Sequence, residues 1–262
     1  MDQKCKNSNM MVPNSGDPRL RDTTLATGEE HKDNHNSGGI DDADGTNPSG
    51  HLPADVATSE LRSLRCIKVT KIGTWNVRGM NIGKLDTINK EMNRLNIDIL
   101  GVSEVHWTGN GFFNSGDHTM YFSGNNKTRQ HGVGFVLYKK ISKCVESYQT
   151  MSDRVITIRI KAKLNNITLL QIYAPTADAE EDEIEQFYAE IQGAIEETSR
   201  ADVVYILGEF NAKIGERAEA DIVGKFGLGE RNEAGDRLVQ FCQEQHMRLT
   251  TTWFQQPRRL YT

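Results

Sequence analysis

The sequence lacks the features that would tie it to a membrane, a secretory route or an oxidising compartment. No stretch of its 262 residues approaches the ~20 consecutive apolar residues of a transmembrane helix. The first thirty residues contain no apolar segment of the kind found in secretory signals. The four cysteines are far apart and form no CxxC pair, which predicts reduced thiols and a nuclear or cytoplasmic location. We therefore expect neither a membrane partner nor a disulfide-linked one.

The chain also has no cluster of four or more adjacent lysines or arginines, and its net charge of −5 is unevenly distributed. Residues 1–60 hold 5 Lys and Arg against 11 Asp and Glu, whereas the rest of the chain holds 26 against 25. The N-terminal part is polar with scattered apolar residues, so it cannot bury enough surface to offset the entropy lost on ordering. We predict a disordered acidic tail over residues 1–65 and one folded domain over residues 66–262.

Strand-like and helix-like segments alternate through this folded part. Apolar residues recur at helical spacing over 83–95, between Ile184 and Ile195, and around Leu238. The glycine-rich segments 108–117 and 215–232 are predicted loops. Hairpin-type pairs mixed with crossover helices indicate an α/β fold with mixed sheets. The main predicted strands are 66–77, 98–105, 132–138, 155–162, 167–173, 203–210 and 249–254.

Three of the predicted strands end in polar side chains that a core does not need. The apolar run 203–207 leads into Glu209 and Asn211. Two earlier strands end at Asn76 and at Glu104. Burying a carboxylate or a carboxamide costs free energy unless a partner compensates for it. Because Mg²⁺ commonly takes one or two protein carboxylates, phosphate oxygens and waters, this pattern indicates a metal and phosphate site at the strand ends.

The ligand candidates also have plain structural interpretations, which the sequence leaves open. Glu104 is either a metal ligand or a strand-end carboxylate that meets water. Asn76 is either a direct or indirect partner of the metal beside Glu104, or a turn former before Arg78. Tyr173 is either a core aromatic or a phenol that reaches a phosphate oxygen.

Glu209 and Asn211 are harder to explain structurally as a pair. Glu209 would take a proton from a water, and Asn211 would orient that water or hold the scissile phosphate. Lys127 and Arg129 are candidates for phosphate or nucleic-acid binding, and a solvated basic surface is the alternative.

Five short motifs follow one another in an order typical of the endonuclease/exonuclease/phosphatase superfamily: TWNVR (74–78), SEVHW (103–107), HGVG (131–134), QIYAPT (171–176) and GEFNAK (208–213). Within it, the chain resembles the apurinic-endonuclease-like domain of RTE/BovB-type non-LTR retrotransposons. That narrower resemblance lies in GKFGLG (224–229), NEAG (232–235), FCQ (241–243) and WFQQ (253–256). Together the matching segments cover roughly residues 66–262.

The resemblance implies a four-layer α/β sandwich of two mixed β-sheets flanked by helices. It also implies hydrolysis of phosphodiester bonds in DNA with Mg²⁺ or Mn²⁺ as the cofactor. Carried over to this chain, Glu104 would bind the metal with Asn76 beside it, and Tyr173 would contact the phosphate. Glu209 would polarise the attacking water, and Asn211 would stabilise the phosphorane.

This chain departs from the family pattern in three places. The family has Asp at the position of Glu209, and one extra methylene moves a carboxylate by about 1.5 Å. A misplacement of about 1 Å can cost on the order of a hundredfold in rate. Relatives have Asn-Thr where this chain has Thr251-Thr252. The family also continues beyond the position of Thr262 with an Asp-containing strand and a Ser-Asp-His segment, so we expect missing C-terminal strands and an open sheet edge.

These departures leave functions of different classes open. The first is a metal-dependent DNA endonuclease. The second is a catalytically inactive remnant that acts as a binding or scaffold protein. A phosphatase for small phosphoesters is a third possibility, which the retroelement-like segment 224–229 disfavours.

Overall fold

The computed structural model describes residues 9–13 and 70–255, and it forms eleven strands and four α-helices from them. The strands are β1 Asn9–Pro13, β2 Ile72–Asn76, β3 Ile99–Ser103, β4 Asn110–Ser115, β5 His118–Ser123, β6 Val133–Tyr138, β7 Val145–Thr150, β8 Val155–Ile160, β9 Ile167–Tyr173, β10 Val203–Glu209 and β11 Met247–Leu249. The helices are α1 Lys84–Leu95, α2 Lys139–Ser142, α3 Glu181–Glu196 and α4 Glu233–Glu244. None of the helices in the described part is long and apolar enough to cross a bilayer.

The strands form two mixed sheets. One has six strands in the order β11-β1-β10-β9-β8-β7, and the other has five in the order β2-β3-β6-β5-β4. Each sheet contains one parallel pair, β9 with β10 and β2 with β3, while its other neighbours are antiparallel. Because the two strands of a parallel pair run in the same direction, their C-terminal ends lie side by side at one end of each sheet.

The two sheets pack face to face between layers of helices. The apolar cluster between them takes Tyr121 and Phe135 from the five-stranded sheet and Ile158 and Leu169 from the six-stranded sheet. Helix α1 packs on the outer face of the five-stranded sheet through its buried stripe, which includes Ile88. Helices α3 and α4 cover the outer face of the six-stranded sheet. The predicted four-layer α/β sandwich is therefore confirmed.

Strand β1 corrects one expectation. It lies between β10 and β11 and pairs antiparallel with both, and its Met11 is fully buried. Disorder over residues 1–65 is therefore wrong for Asn9–Pro13, because this short segment, unlike the polar sequence around it, contains the apolar run 10–12 and pairs with a strand on each side. The rest of the predicted tail, residues 66–69 and residues 256–262 lie outside the described residues.

Three local predictions also differ from the structure. The predicted loop 108–117 contains β4, whose side chains are mostly exposed, so its composition is that of a loop. Strand β7 has no counterpart among the predicted strands. The last predicted strand ends at Leu249, where Thr250–Thr252 form a 3-10 turn. The Thr252 hydroxyl donates to the Leu249 carbonyl at 2.6 Å and accepts from the Gly224 amide at 2.7 Å, which stabilises the turn over an extended strand.

A buried glutamine connects the two sheets. Gln171 is fully buried on β9, and its Nε2 donates to Ser103 Oγ on β3 at 2.8 Å. Ser103 Oγ in turn donates to the Ile172 carbonyl at 3.0 Å. The close approach requires glycine at position 101, since a Cβ there would lie 1.8 Å from Gln171 Oε1.

We expect Gly101→Ala to lower the free energy of unfolding by about 1–3 kcal/mol, because an added methyl group forces the buried amide out of place. Gly193→Ala is the matched control: Gly193 lies within α3 and an added Cβ meets nothing within 4 Å. That change should raise the free energy of unfolding by about 0.5–1 kcal/mol, because alanine is the better helix former. Urea denaturation of both variants checks the pair, and shifts of the same sign would contradict this description of the sheet contact.

Candidate active site

The side chains predicted at the strand ends converge at one end of the gap between the sheets. Asn76 is the last residue of β2 and pairs with Ser103 of β3. Tyr173 and Glu209 are the last residues of β9 and β10 and pair with each other. Alternation along each strand places these three side chains on the inner faces. Two residues earlier on the same strands, Gln171 and Leu207 lie between the sheets, and the Thr74 hydroxyl donates to Gln171.

Asn76 holds the Glu104 carboxylate. Its Nδ2 donates to Glu104 Oε1 at 2.6 Å, while its Oδ1 accepts from the Arg78 amide at 3.1 Å. Asn76 thus both shapes the turn and orients the carboxylate. Its oxygen is occupied by the Arg78 amide, which favours the indirect role at a metal over direct ligation. The second carboxylate oxygen, Glu104 Oε2, lies 3.9 Å from His106 Nε2.

Tyr173 brings the two sheets together at the site. Burial, the negative charge of Glu104 and a hydrogen bond to Glu104 raise the pKa of the Tyr173 phenol to about 12, and Glu209 adds to the shift. The Arg154 guanidinium, 5.5 Å from the centre of the Tyr173 ring, opposes it. At neutral pH the phenol is therefore protonated and acts as a hydrogen-bond donor.

Glu209 and Asn211 border the same residue. The Ala174 amide, which follows Tyr173, donates to the Glu209 carbonyl at 2.9 Å. Asn211 Nδ2 donates to the Ala174 carbonyl at 2.8 Å. The loop after β10 is thereby fastened to the loop after β9, and both predicted catalytic residues lie at the Tyr173 end of the gap.

Backbone strain is concentrated at these strand exits. Left-handed φ values are uncommon outside glycine and cost free energy unless the surroundings impose them. Eight non-glycine residues of the described part have them, and five lie in or beside the motifs of the site: Arg78 (49°), Glu104 (56°), His106 (59°), His131 (55°) and Asn211 (48°). Such clusters are typical of functional sites, where side-chain direction takes precedence over backbone preference.

A network of hydrogen-bonded polar side chains behind Tyr173 was not predicted. His131 Nδ1 donates to Asp153 Oδ2 at 3.1 Å, and His131 Nε2 accepts from Arg154 Nη2 at 3.2 Å. Arg154 also donates to the Tyr173 carbonyl at 3.2 Å and to Glu183 of α3 at 2.5 Å. The hydrogen bond from His131 lowers the pKa of Asp153 despite its burial. In the sequence, only the HGVG motif could have indicated this hydrogen-bonded network, because Asp153 and Arg154 resemble ordinary turn residues.

The oxygen ligands offered at Glu104 fit a hard divalent cation that takes few of its ligands from the protein. The described residues contain no group of three or more His, Cys, Asp and Glu that could hold a metal. One carboxylate with a fixed orientation suits Mg²⁺, which commonly keeps several waters and takes its other ligands from substrate phosphate. Glu104 is the residue that would hold the ion, and Asn76 would fix the direction of its carboxylate.

Lys127 and Arg129 lie on the loop between β5 and β6. Asn125 Oδ1 accepts from the amides of Lys127 and Thr128, which shapes this loop, and both cationic side chains are exposed. Arg129 lines an open cleft of about 790 Å³ together with Met80, Asn81, Ile82, Val105, His106, Trp107, Thr108 and Phe122. Lys127 is not among the residues that line this cleft.

The protonation of Tyr173 gives a direct spectroscopic test. The difference in phenolate absorbance between the wild-type chain and Tyr173→Phe should appear with a midpoint near pH 12, well above the ordinary tyrosine value of about 10. Because the folded state holds the proton more tightly, this residue's contribution to stability is complete below about pH 10 and is lost as the pH rises towards 12. A midpoint near pH 10 would show that the phenol is not held against Glu104.

Comparison with known proteins returned two close relatives. The chain is 45% identical over 239 residues to craniofacial development protein 2 of Bos taurus, which covers 90% of this chain and 40% of that protein. It is 42% identical over 263 residues to craniofacial development protein 2 of Tragulus javanicus, covering 100% of this chain and 46% of that protein. The chain therefore spans less than half the length of the curated relatives it matches. No protein-family model matches it.

Solved structures show only a distant likeness. The endonuclease domain of TRAS1, a telomere-specific non-LTR retrotransposon, is 14% identical with a TM-score of 0.46, over 67% of this chain and 70% of that one. The AP endonuclease LMAP from Leishmania major is 14% identical with a TM-score of 0.48, over 66% of each chain.

Over nearly all of its residues, the chain is a homologue of the proteins named craniofacial development protein 2.

Proposed function

We propose that this chain is a metal-dependent phosphodiesterase that nicks DNA. The observation that supports this most strongly is the meeting of Glu104, Asn76, Tyr173, Glu209 and Asn211 at one end of the gap between the sheets. A carboxylate held by an amide, a protonated phenol and a second carboxylate form a set suited to phosphoryl chemistry. A purely structural role does not require four strand ends to deliver these groups to one place.

Each residue has a distinct part in the proposed reaction. Glu104 would hold Mg²⁺ or Mn²⁺, which when bound supplies positive charge to the developing charge on the phosphate. Tyr173 would donate a hydrogen bond to a non-bridging phosphate oxygen. Glu209 would accept the proton of the attacking water. Asn211 would steady the pentavalent phosphorus through its side-chain amide.

DNA is the proposed substrate because of the motif resemblance and the shape of the site. The motifs resemble an apurinic-endonuclease-like domain, which implies DNA as the substrate class. The open cleft beside Glu104 leaves room for a polymer on one side of the reacting phosphate. DNA affinity would come from local contacts, including Arg129 and Lys127, because the chain as a whole carries a net charge of −5.

The second candidate function is binding without catalysis. Glu209 stands where the family has Asp, and a longer side chain at this position is what a decayed or repurposed enzyme would carry. In that case the chain would act on a partner through its preserved surface alone.

Nicking of supercoiled plasmid separates these candidates. The purified chain should convert supercoiled DNA to the open-circular form in Mg²⁺ or Mn²⁺, and EDTA should stop the conversion. An aryl phosphate monoester in parallel tests the phosphatase alternative, and no hydrolysis of it is expected. Absence of nicking with either metal, from a chain that still binds DNA, would contradict the enzyme and support the binding function.

We expect Glu209→Asp to raise the nicking rate by about ten- to a hundredfold, because it withdraws the carboxylate by one methylene to the family's position. Glu244→Asp, at an exposed position at the end of α4, should leave the rate unchanged. Initial rates with the plasmid substrate provide the measurement. A slower Glu209→Asp variant would mean that the site has adapted to the longer side chain.

A further inference from the structure

We propose that the open cleft beside Glu104 is a nucleobase site. It binds an unpaired base of the same DNA strand whose phosphate lies at the Glu104 carboxylate. The cleft is defined by Met80, Ile82, His106, Trp107, Phe122 and Arg129. This inference rests on the proposed function, because it places the strand by its phosphate. It adds what that function does not contain, a reason for the site to prefer unpaired over paired DNA.

Trp107 forms a fixed aromatic wall. Its Nε1 donates to the Met80 carbonyl at 3.0 Å, which links the loop after β3 to the loop after β2. Its ring meets Phe122 edge-on at 5.2 Å and Phe113 at 5.8 Å. A tryptophan held by a hydrogen bond and two rings loses little entropy when a base stacks on it, so the wall is preorganised for binding.

The remaining walls combine apolar and polar side chains, with Asn81 and Thr108 among the polar ones, and the cleft is open to solvent. Val105 and Met80 are buried beneath it, whereas the Ile82 side chain is fully exposed at its border. The volume of about 790 Å³ lies within the range of small-molecule sites, roughly 300–1,000 Å³, and is ample for one nucleotide. A flat aromatic base with polar edges suits a cleft that has an aromatic wall, polar groups and one open side.

The charges agree with a nucleic-acid occupant. No Asp or Glu is among the residues that line the cleft, whereas Arg129 and His106 are. His106 also joins the cleft to the site, since its Nε2 is 3.9 Å from Glu104 Oε2. A nucleotide whose phosphate reaches the carboxylate therefore has its base or its neighbour's base at the mouth of the cleft, with Arg129 available to the next phosphate.

Base stacking on Trp107 requires a base that is out of the duplex. A paired base presents only its edges to a groove, and its faces are covered by its neighbours. The cleft thus favours single-stranded or locally unpaired DNA, because only there is a ring face available for the indole.

The test compares binding of a short oligothymidylate with binding of an abasic oligomer of the same length and charge, by fluorescence anisotropy in Ca²⁺, a hard cation with oxygen ligands that takes the place of Mg²⁺ at Glu104. Wild-type chain should bind the oligothymidylate about tenfold more tightly, in keeping with the energy of one stacked base. Trp107→Ala should remove most of that difference, and Trp107→Phe should retain part of it. Phe254→Ala, which alters an exposed aromatic outside the cleft, should leave it unchanged. Circular dichroism shows whether each variant is folded.

Further arms separate the possible occupants and the two proposals. Duplex DNA should bind more weakly than the single strand, and tighter binding of an RNA of equal length would identify RNA as the occupant and overturn the assignment to DNA. Equal affinity for the base-containing and abasic oligomers, or a preference that survives in folded Trp107→Ala, would also overturn the base site. Because these measurements need no cleavage, failure of the nicking assay would leave the base site intact, while nicking without a base preference would refute the base site alone.

Discussion

Replacing Met11 with alanine should lower the free energy of unfolding by about 2–5 kcal/mol, the usual cost of emptying a large buried site. Met11 is fully buried, and its sulfur lies 3.0 Å from Cys242 Sγ of α4. It is also the central residue of a strand that pairs with Ile206 on one side and Leu249 on the other. Loss of the side chain therefore weakens the contact between α4 and the sheet together with the strand itself.

The matched control is Leu164→Ala, because Leu164 is 62% exposed in the turn before β9. That substitution should change the free energy of unfolding by no more than about 0.5 kcal/mol. Urea denaturation measures both variants, and amide hydrogen exchange on β10 follows the strand pairing directly. If Met11→Ala changed the free energy of unfolding no more than the control does, and the β10 amides kept their protection from exchange, β1 would not pair with the sheet in solution.

The second large effect is expected at Glu104. Glu104→Gln should reduce the rate of plasmid nicking by about a hundredfold or more, in the range seen when one charge-stabilising group is removed from an active site. Glutamine keeps the shape of the side chain but removes the negative charge that would hold the cation. In addition, its own amide group must face either Asn76 Nδ2, which is a donor, or the cation position. Each orientation replaces an attraction with a repulsion.

The measurement is the initial rate of open-circular product over a series of Mg²⁺ concentrations. Glu244→Gln is the matched control, because Glu244 is an exposed carboxylate at the end of α4, where it accepts a hydrogen bond from Gln240. It should nick at the wild-type rate. Full nicking by Glu104→Gln would place the activity at another site or in a contaminant.

The strand ends could be predicted from the sequence because their geometry is local. A strand alternates sides with a period of two, so Tyr173 and Glu209 follow from the apolar runs that precede them. The motifs around Asn76 and Glu104 then placed both residues in one site. Helix α1 was predicted closely for a related reason: its buried residues Ile88 and Met92 repeat at helical spacing.

What could not be predicted depends on contacts between distant segments. Strand β1 has partners only far along the chain, and its apolar run of three residues is too short to stand out from the polar sequence around it. Strand β4 is exposed, so its sequence carries no alternation of apolar and polar residues. The hydrogen bonds of Arg154 to His131, Tyr173 and Glu183 join residues of separate elements, and no spacing rule connects them.

The central position of β1 has a consequence for how the chain acquires its shape during synthesis. Met11 and Cys242 touch although they are 231 positions apart, so this part of the six-stranded sheet joins segments that are far apart in the sequence. Contacts of such long sequence separation form slowly, since a large loop must close before they contribute. During synthesis β1 would stay without its partner strands until β10 and β11 have been made. Production of the protein should therefore benefit from chaperones that shield unpaired strands.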